Sequence, residues 1–403
     1  MSPAARPCAA VLAMALAFAS CSHAADNRVR AAPSRPGASQ PERPSVEVRR
    51  PSAAPTVPRG LGELRGVTIG GVDSVRLADV AARLGLRYRP HDLNRAASIY
   101  GPGQRADLEA DTRDITVNGL RVFLGSPVMF ARGQLYISRS DFVDCLAPMM
   151  RPGLGVVVPP PPHVIVLDPG HGGSDPGGVN PRLHLMEKTF TLDVAQRLRL
   201  LLERAGYRVV MTRTTDRLPA PKKDDQDLRM RSLIANREHA DLFLSIHFNV
   251  VVHDPQRTRG IEVYTFPPAN VHATEWWSAL RKNDPDLVTT PEPANRFDHW
   301  NVVFAAELQR TMLATLKTDD RGKKLGHLGV LRSLNCPGVL VEPGYVTNDA
   351  EARKLATPAY RQQIAVSLYQ GIADYTALLE RLRGTPRTGF ATPRPYRASR
   401  TSS

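Results

Sequence analysis

Four side chains in the C-terminal part of this 403-residue chain are of the types that hydrolytic chemistry needs: His171, Glu187, His247 and Glu342. Two imidazoles and one carboxylate make up the donor set of a catalytic zinc ion and leave one coordination position for water. A second carboxylate nearby can take the proton of that water. The chemistry such a set supports is metal-assisted hydrolysis. The four are far apart in sequence, and no short metal motif such as His-Glu-x-x-His joins them. Each also has a plain alternative: a polar residue at a strand end, or, for Glu187, a first-turn acid favoured by the helix dipole.

The elements around them give the set its weight. His171 follows the apolar run Val164–Asp168 and sits in a glycine-rich turn, where Gly170, Gly172 and Gly173 let the backbone pass close to a metal or substrate. That turn lacks the Gly-Lys-Ser/Thr ending of a phosphate-binding loop. His247 ends the run from Asp241, and Glu342 ends the run Gly338–Val341. Glu187 opens a helix whose apolar face carries Leu192, Ala195, Leu198, Leu202 and Ala205, stopped by Gly206. Further strands are expected at 207–212, 260–265 and 329–331, and helices at 228–240, 299–316 and 360–383. Strands alternating with helices imply an α/β domain with a mostly parallel sheet covered on both faces. Active sites of such sheets lie at the carboxyl ends of the strands, where His171, His247 and Glu342 fall. Asp168 reads as a turn former, and Asn249 and Asn348 as turn caps or substrate contacts.

The chain divides as follows. Residues 1–24 have the form of an export signal: Arg6, an apolar core Ala9–Ala19 too short to span a bilayer, and a Ser22-His-Ala24 cleavage site. Phe18-Ala-Ser-Cys21 alternatively reads as a lipobox, which would anchor the mature protein to a membrane through Cys21. The expected location is the periplasm or cell envelope. Residues 25–60 read as a disordered linker. Residues 61–150 form a small α+β module, residues 153–162 a proline-rich linker, residues 163–383 the catalytic domain, and residues 384–403 a disordered basic tail. The module has a hairpin at Asn118-Gly119 and a helix entered through Tyr136-Ile-Ser-Arg-Ser-Asp-Phe142. On those two features it resembles the N-terminal-like modules of copper amine oxidases, without copper ligands, and reads as a spacer or a wall-binding unit. Cys145 and Cys336 are expected to be buried thiols.

Net charge is +14. Much of it comes from the two tails: residues 25–60 hold seven Arg against three acids, and 384–403 hold four Arg and no acid. With 6% aromatic residues and no recognised motif, nucleic acid is not an expected partner. The basic tails suit either solvation or an anionic envelope.

Residues 163–382 resemble the catalytic domain of zinc-dependent N-acetylmuramoyl-L-alanine amidases (the amidase_3 family). The matching pieces run in order: Leu167-Asp-Pro-Gly-His-Gly-Gly-Ser-Asp-Pro-Gly-Gly178; Glu187 entering a helix; Thr212-Arg-Thr-Thr-Asp216; Arg229 with Ala235-Asn236; Ser245-Ile-His-Phe-Asn249; and Leu340-Val-Glu-Pro-Gly-Tyr-Val-Thr-Asn348. The resemblance implies that His171, Glu187 and His247 are zinc ligands and that Glu342 is the catalytic carboxylate. The implied substrate is peptidoglycan, cut at the amide between N-acetylmuramic acid and L-alanine. Residues 266–298, with Trp276 and Trp277, form an insert. Some relatives use an insert here to cover the zinc until an activator protein releases it; packing and glycan stacking are the other readings. The competing class is a non-catalytic wall-binding or regulatory protein on the same fold, which loss of any of the four residues would favour.

Overall fold

The computed structural model describes residues 64–220, 225–274 and 287–384. The export signal, the 25–60 stretch, Trp276 and Trp277 of the insert, and residues 385–403 of the basic tail lie outside the described residues.

The N-terminal part opens with a hairpin, β1 (Gly66–Ile69) and β2 (Val72–Arg76), turned at Gly70-Gly71, both with positive φ. Helix α1 (Leu77–Arg83) follows, buries Leu77, Val80 and Ala81, and ends before Gly85 at φ 66°. A meander comes next: β3 (Arg87–His91), β4 (Ala96–Gly101), β5 (Gln104–Glu109), β6 (Asp114–Val117) and β7 (Leu120–Phe123). The expected Asn118-Gly119 hairpin joins β6 and β7, with φ of 52° and 81° at the two turn residues, as a primed two-residue turn requires. Strands β8 (Met129–Ala131) and β9 (Gln134–Ser138) complete this part. Ser138 then caps the helical run into which it leads, accepting from the Asp141 amide. Residues alternate along the meander: Ile99, Ala106, Leu108, Ile115, Val117 and Val122 are buried together, and Arg87, Arg89 and Arg105 face water.

From residue 163 strands and helices alternate. The strands are β10 (Val164–Pro169), a small hairpin of β11 (Val179–Asn180) and β12 (Leu185–Met186), β13 (Arg208–Met211), β14 (Leu242–Ile246), β15 (Ile261–Thr265), β16 (Asp320–Leu325) and β17 (Gly338–Glu342). The helices are α2 (Glu187–Arg204), α3 (Asp225–Arg237), α4 (Asp298–Leu316), α5 (Gly329–Arg332), α6 (Asp349–Ala356) and α7 (Pro358–Arg383). Helices α2, α4 and α7 cover one face of the sheet, burying Phe190, Leu198, Phe304, Leu308 and Leu368 against Leu167, Ile246 and Val341. Helices α3 and α5 cover the other, against Val166, Phe243 and Leu340.

The large sheet has the order β13-β10-β14-β17-β15-β16-β7-β6-β5-β4-β3. Its catalytic half is parallel except where β15 meets β17. The meander joins it edge to edge, β7 beside β16 through the pair Val122–Lys323, so both parts share one mixed sheet. Gln309 of α4 fastens the seam, donating to the Arg121 carbonyl (3.0 Å) and to Asp320 (2.7 Å).

Several elements differ from expectation, among them α5, β16, the β11–β12 hairpin and α6. Residues 329–331 form the helical turn α5 rather than a strand; a three-residue apolar run carries no period that separates the two, and Val330 and Leu331 pack with Leu228 of α3. The strand β16 gave no sequence signal, because Asp-Arg-Gly-Lys-Lys looks like a surface loop. Lys323 is nevertheless buried there, in the field of the carboxylates of Asp141, Asp144 and Asp298. Cys145 and Cys336 are both buried and unbonded to each other. No helix among the described residues is long and apolar enough to cross a membrane.

Candidate metal centre

His171, Glu187 and His247 converge at the carboxyl ends of β10 and β14, with ligand atoms all within 4.8 Å of one another. One carboxylate oxygen, Glu187 Oε1, lies 3.0 Å from His171 Nε2 and 3.0 Å from His247 Nδ1. The two rings stand edge to face, centroids 4.7 Å apart. Two imidazole nitrogens and a carboxylate oxygen at these separations match neighbouring donors around a cation with bonds of about 2 Å, so the residues present fit zinc.

The backbone is shaped to bring these atoms together. His171 has φ 63°, a left-handed conformation that costs energy in a non-glycine residue and clusters at functional sites. The neighbouring Gly170 cannot carry a side chain, since a Cβ there would lie 2.3 Å from the His247 ring. Gly177 has φ 66°, and a Cβ on it would strike both His171 and Glu187 Oε2. Glu187, the first residue of α2, is 3% exposed. It accepts from the Gly178 amide at Oε2 (2.7 Å) and from the Phe248 amide at Oε1 (2.9 Å). Burial opposes its charge, but His171 and His247 outweigh burial and hold it well below the usual carboxylate range.

Sequence reasoning missed the residues that hold this triad. Asp175 Oδ2 sits 2.7 Å from His171 Nδ1 and fixes the ring so that Nε2 faces Glu187, the carboxylate–histidine arrangement of metal sites. Burial works against a charged His171 ring; the bonds to Asp175 and Glu187 prevail and raise it to about 9 in the metal-free protein. Asp168 is not a turn former. It is fully buried at the end of β10, accepting from Thr212 Oγ1 (2.6 Å), Ser245 Oγ (2.7 Å) and Arg231 Nη1 (2.8 Å). Arg231 also donates to the carbonyls of Pro169 and His171 and pairs with Asp227. Arg213 donates to the carbonyls of Pro169, Gly170 and Lys188; burial, then the neighbouring Arg231, lowers it to about 10, which leaves it cationic at neutral pH. Two buried guanidiniums thus clamp the loop that carries His171. The sequence signals were Arg213 inside a Thr-rich strand end and the Asp227–Arg231 spacing of four on a helix.

Glu342 ends β17, the strand beside β14. The His247 amide donates to the Val341 carbonyl (3.0 Å), so the register sets Glu342 at the strand end next to His247. Asn348 caps α6, accepting from the amides of Ala350 and Glu351. Asn249 donates to Glu262 (2.7 Å).

The model of the family described as N-acetylmuramoyl-L-alanine amidase matches residues 165–374, 210 of 403 residues. The germination-specific N-acetylmuramoyl-L-alanine amidase of Bacillus subtilis is 30% identical over 219 residues, covering 53% of this chain and 79% of that protein. The N-acetylmuramoyl-L-alanine amidase AmiC of Neisseria meningitidis is 32% identical over 238 residues, 54% of each. A crystal structure of an N-acetylmuramoyl-L-alanine amidase from Clostridium difficile 630 is 27% identical and covers 53% of this chain and 97% of that one, at a TM-score of 0.41. The chain spans only part of its curated relatives: 35%, 79% and 54% of the length of three of them.

Proposed function

Because this chain belongs to the N-acetylmuramoyl-L-alanine amidase family, we propose that it hydrolyses peptidoglycan at the amide between N-acetylmuramic acid and the L-alanine of the stem peptide. The observation that carries this reading is the meeting of His171, Glu187 and His247 at the carboxyl ends of adjacent strands.

His171 Nε2, His247 Nδ1 and the Glu187 carboxylate would hold the zinc. When bound, zinc supplies a Lewis acid that makes water nucleophilic near pH 7 and polarises the amide carbonyl. Asp175 keeps the His171 proton on Nδ1, so the Nε2 lone pair is free for a cation. Glu342 takes the proton of the attacking water and passes it to the alanine nitrogen, which then departs as a neutral amine. Arg213 and Arg231 keep the His171 loop fixed, so the ligand atoms need no reorganisation at the moment of reaction.

The same reading extends to place and partners. The 1–24 signal would send the protein to the periplasm or envelope, soluble after Ala24 or anchored at Cys21. The 266–298 insert, of which 275–286 fall outside the described residues, is where an activator protein would act. The function is tested by digesting purified peptidoglycan with the zinc-loaded protein and analysing products by mass spectrometry. Free stem peptides released from intact glycan strands are expected; cleavage within the glycan or within the peptide would overturn it.

A further inference from the structure

Beside Glu342 lies a charged network that none of the roles above uses. Strand β15 runs antiparallel to β17 with Glu262 directly opposite Glu342. Residues paired in this way project from the same sheet face with Cα atoms about 5 Å apart. Glu262 is 1% exposed. Its Oε1 accepts from Lys324 Nζ (2.7 Å), Arg321 Nε (3.0 Å) and the Tyr345 hydroxyl (2.5 Å). Its Oε2 accepts from Asn249 Nδ2 (2.7 Å) and the Tyr264 hydroxyl (2.7 Å). Burial alone would raise its pKa; Lys324 and the hydrogen bonds reverse that and keep it ionised.

One anion here holds two cations. Lys324, the more buried, pairs with Glu262, and Arg321 adds a second cation on the sheet face that Glu342 occupies. The two cations also differ in access, the Arg321 side chain being 35% exposed and that of Lys324 13%. Arg321 is braced as well: its Nε is committed to Glu262, and its guanidinium lies 5.5 Å from the centre of the Tyr345 ring. Among the described residues, its terminal amino groups meet no carboxylate. A braced guanidinium that meets the Tyr345 side chain and holds no second carboxylate suits a carboxylate ligand.

Resting on the amidase reading above, we propose that Arg321, held by Glu262 and Tyr345, is a subsite for a substrate carboxylate on the second residue of the peptide being released. The reach agrees. From Glu342 across one strand spacing and one hydrogen bond to the guanidinium is on the order of 10 Å. A second-residue carboxylate lies at a similar distance from a nucleophile at the amide, given about 3.5 Å per extended residue. Acidic peptides are drawn toward Glu342 by Arg321, and those lacking that charge lose the contact.

The test separates this subsite from a purely structural network. In the Glu342→Gln background, calorimetry measures binding of N-acetylmuramoyl tripeptides whose second-residue carboxyl is free or amidated. The free acid should bind about tenfold tighter, the scale of one charge-assisted pair. Adding Arg321→Gln should abolish that difference and leave the affinity for the amidated ligand unchanged, and Arg321→Lys should restore part of the preference. Melting temperature and zinc content are followed in each variant. Equal affinity for acid and amide in the parent overturns the proposal. So does an equal loss for both ligands on Arg321→Gln, or binding of neither ligand. Failure of the amidase reading would show separately, as wild-type zinc protein that releases no stem peptide whatever these ligands do.

Discussion

Replacing Asp175 should loosen the grip on zinc without disturbing the fold. Its carboxylate is 8% exposed and lies 2.7 Å from His171 Nδ1, a charge-assisted bond of about 1.5–3 kcal/mol. Asp175→Asn keeps the shape and an acceptor oxygen but loses the charge, so about 1–2 kcal/mol of that support disappears. Zinc affinity should fall about tenfold. Asp175→Ala also removes the acceptor for the Gly177 amide (3.1 Å) and should fall toward a hundredfold. The backbone pairing of residue 175 with Gly172, at 3.0 and 2.9 Å, survives both changes, so the loop should persist. Titrating zinc against a chelator of known affinity measures the loss, and thermal melts of the metal-free proteins check the fold. If both variants bind zinc as tightly as wild type, Asp175 does not orient His171 and the two-layered account of the site is wrong.

Other outcomes follow from the same geometry. Arg231→Gln leaves Asp168 buried without its cation and should cost roughly 3–5 kcal/mol in urea unfolding; a loss below about 1 kcal/mol would remove Arg231 as the loop's anchor. Asn348→Ala deletes the cap of α6 and the donor to the carbonyls of Pro255, Gln256 and Thr258, and should cost at least about 1 kcal/mol, read by the same unfolding curves. In the metal-free protein His171 is raised from 6.5 to about 9. Its charged form therefore stabilises the fold fully below about pH 6.5, and that contribution fades as pH rises through 9. A His171→Ala protein, melted without metal, should lose that part of the wild-type pH dependence.

The triad was legible from sequence because each member bounds a strong element: an apolar run ending in Gly-His-Gly, one ending in His, and an acid at the start of a long amphipathic helix; each alone had a plain alternative, and the ordered amidase-like motifs joined them. The parallel half of the sheet was legible for the same reason. What stayed hidden depends on long-range neutralisation. Lys323 and Lys324 in β16 look like solvated charges, and only the folded chain shows carboxylates from distant segments around them. Asp168 and Arg231 are 63 positions apart, and no local pattern announces their pairing. The joining of the N-terminal meander to the catalytic sheet was equally invisible, since one parallel pairing at Val122 and Lys323 leaves no periodic trace. The proline run before β10 suggested a spacer, yet the strands on its two sides share one sheet.

The central claim divides labour between three residues that hold a metal and one that moves a proton. Glu342→Gln, assayed for bound zinc and for stem-peptide release in the same preparation, tests that division directly. The account predicts zinc at the wild-type stoichiometry with turnover down by about 10²–10⁴-fold; near-normal turnover, or loss of the zinc itself, would contradict it.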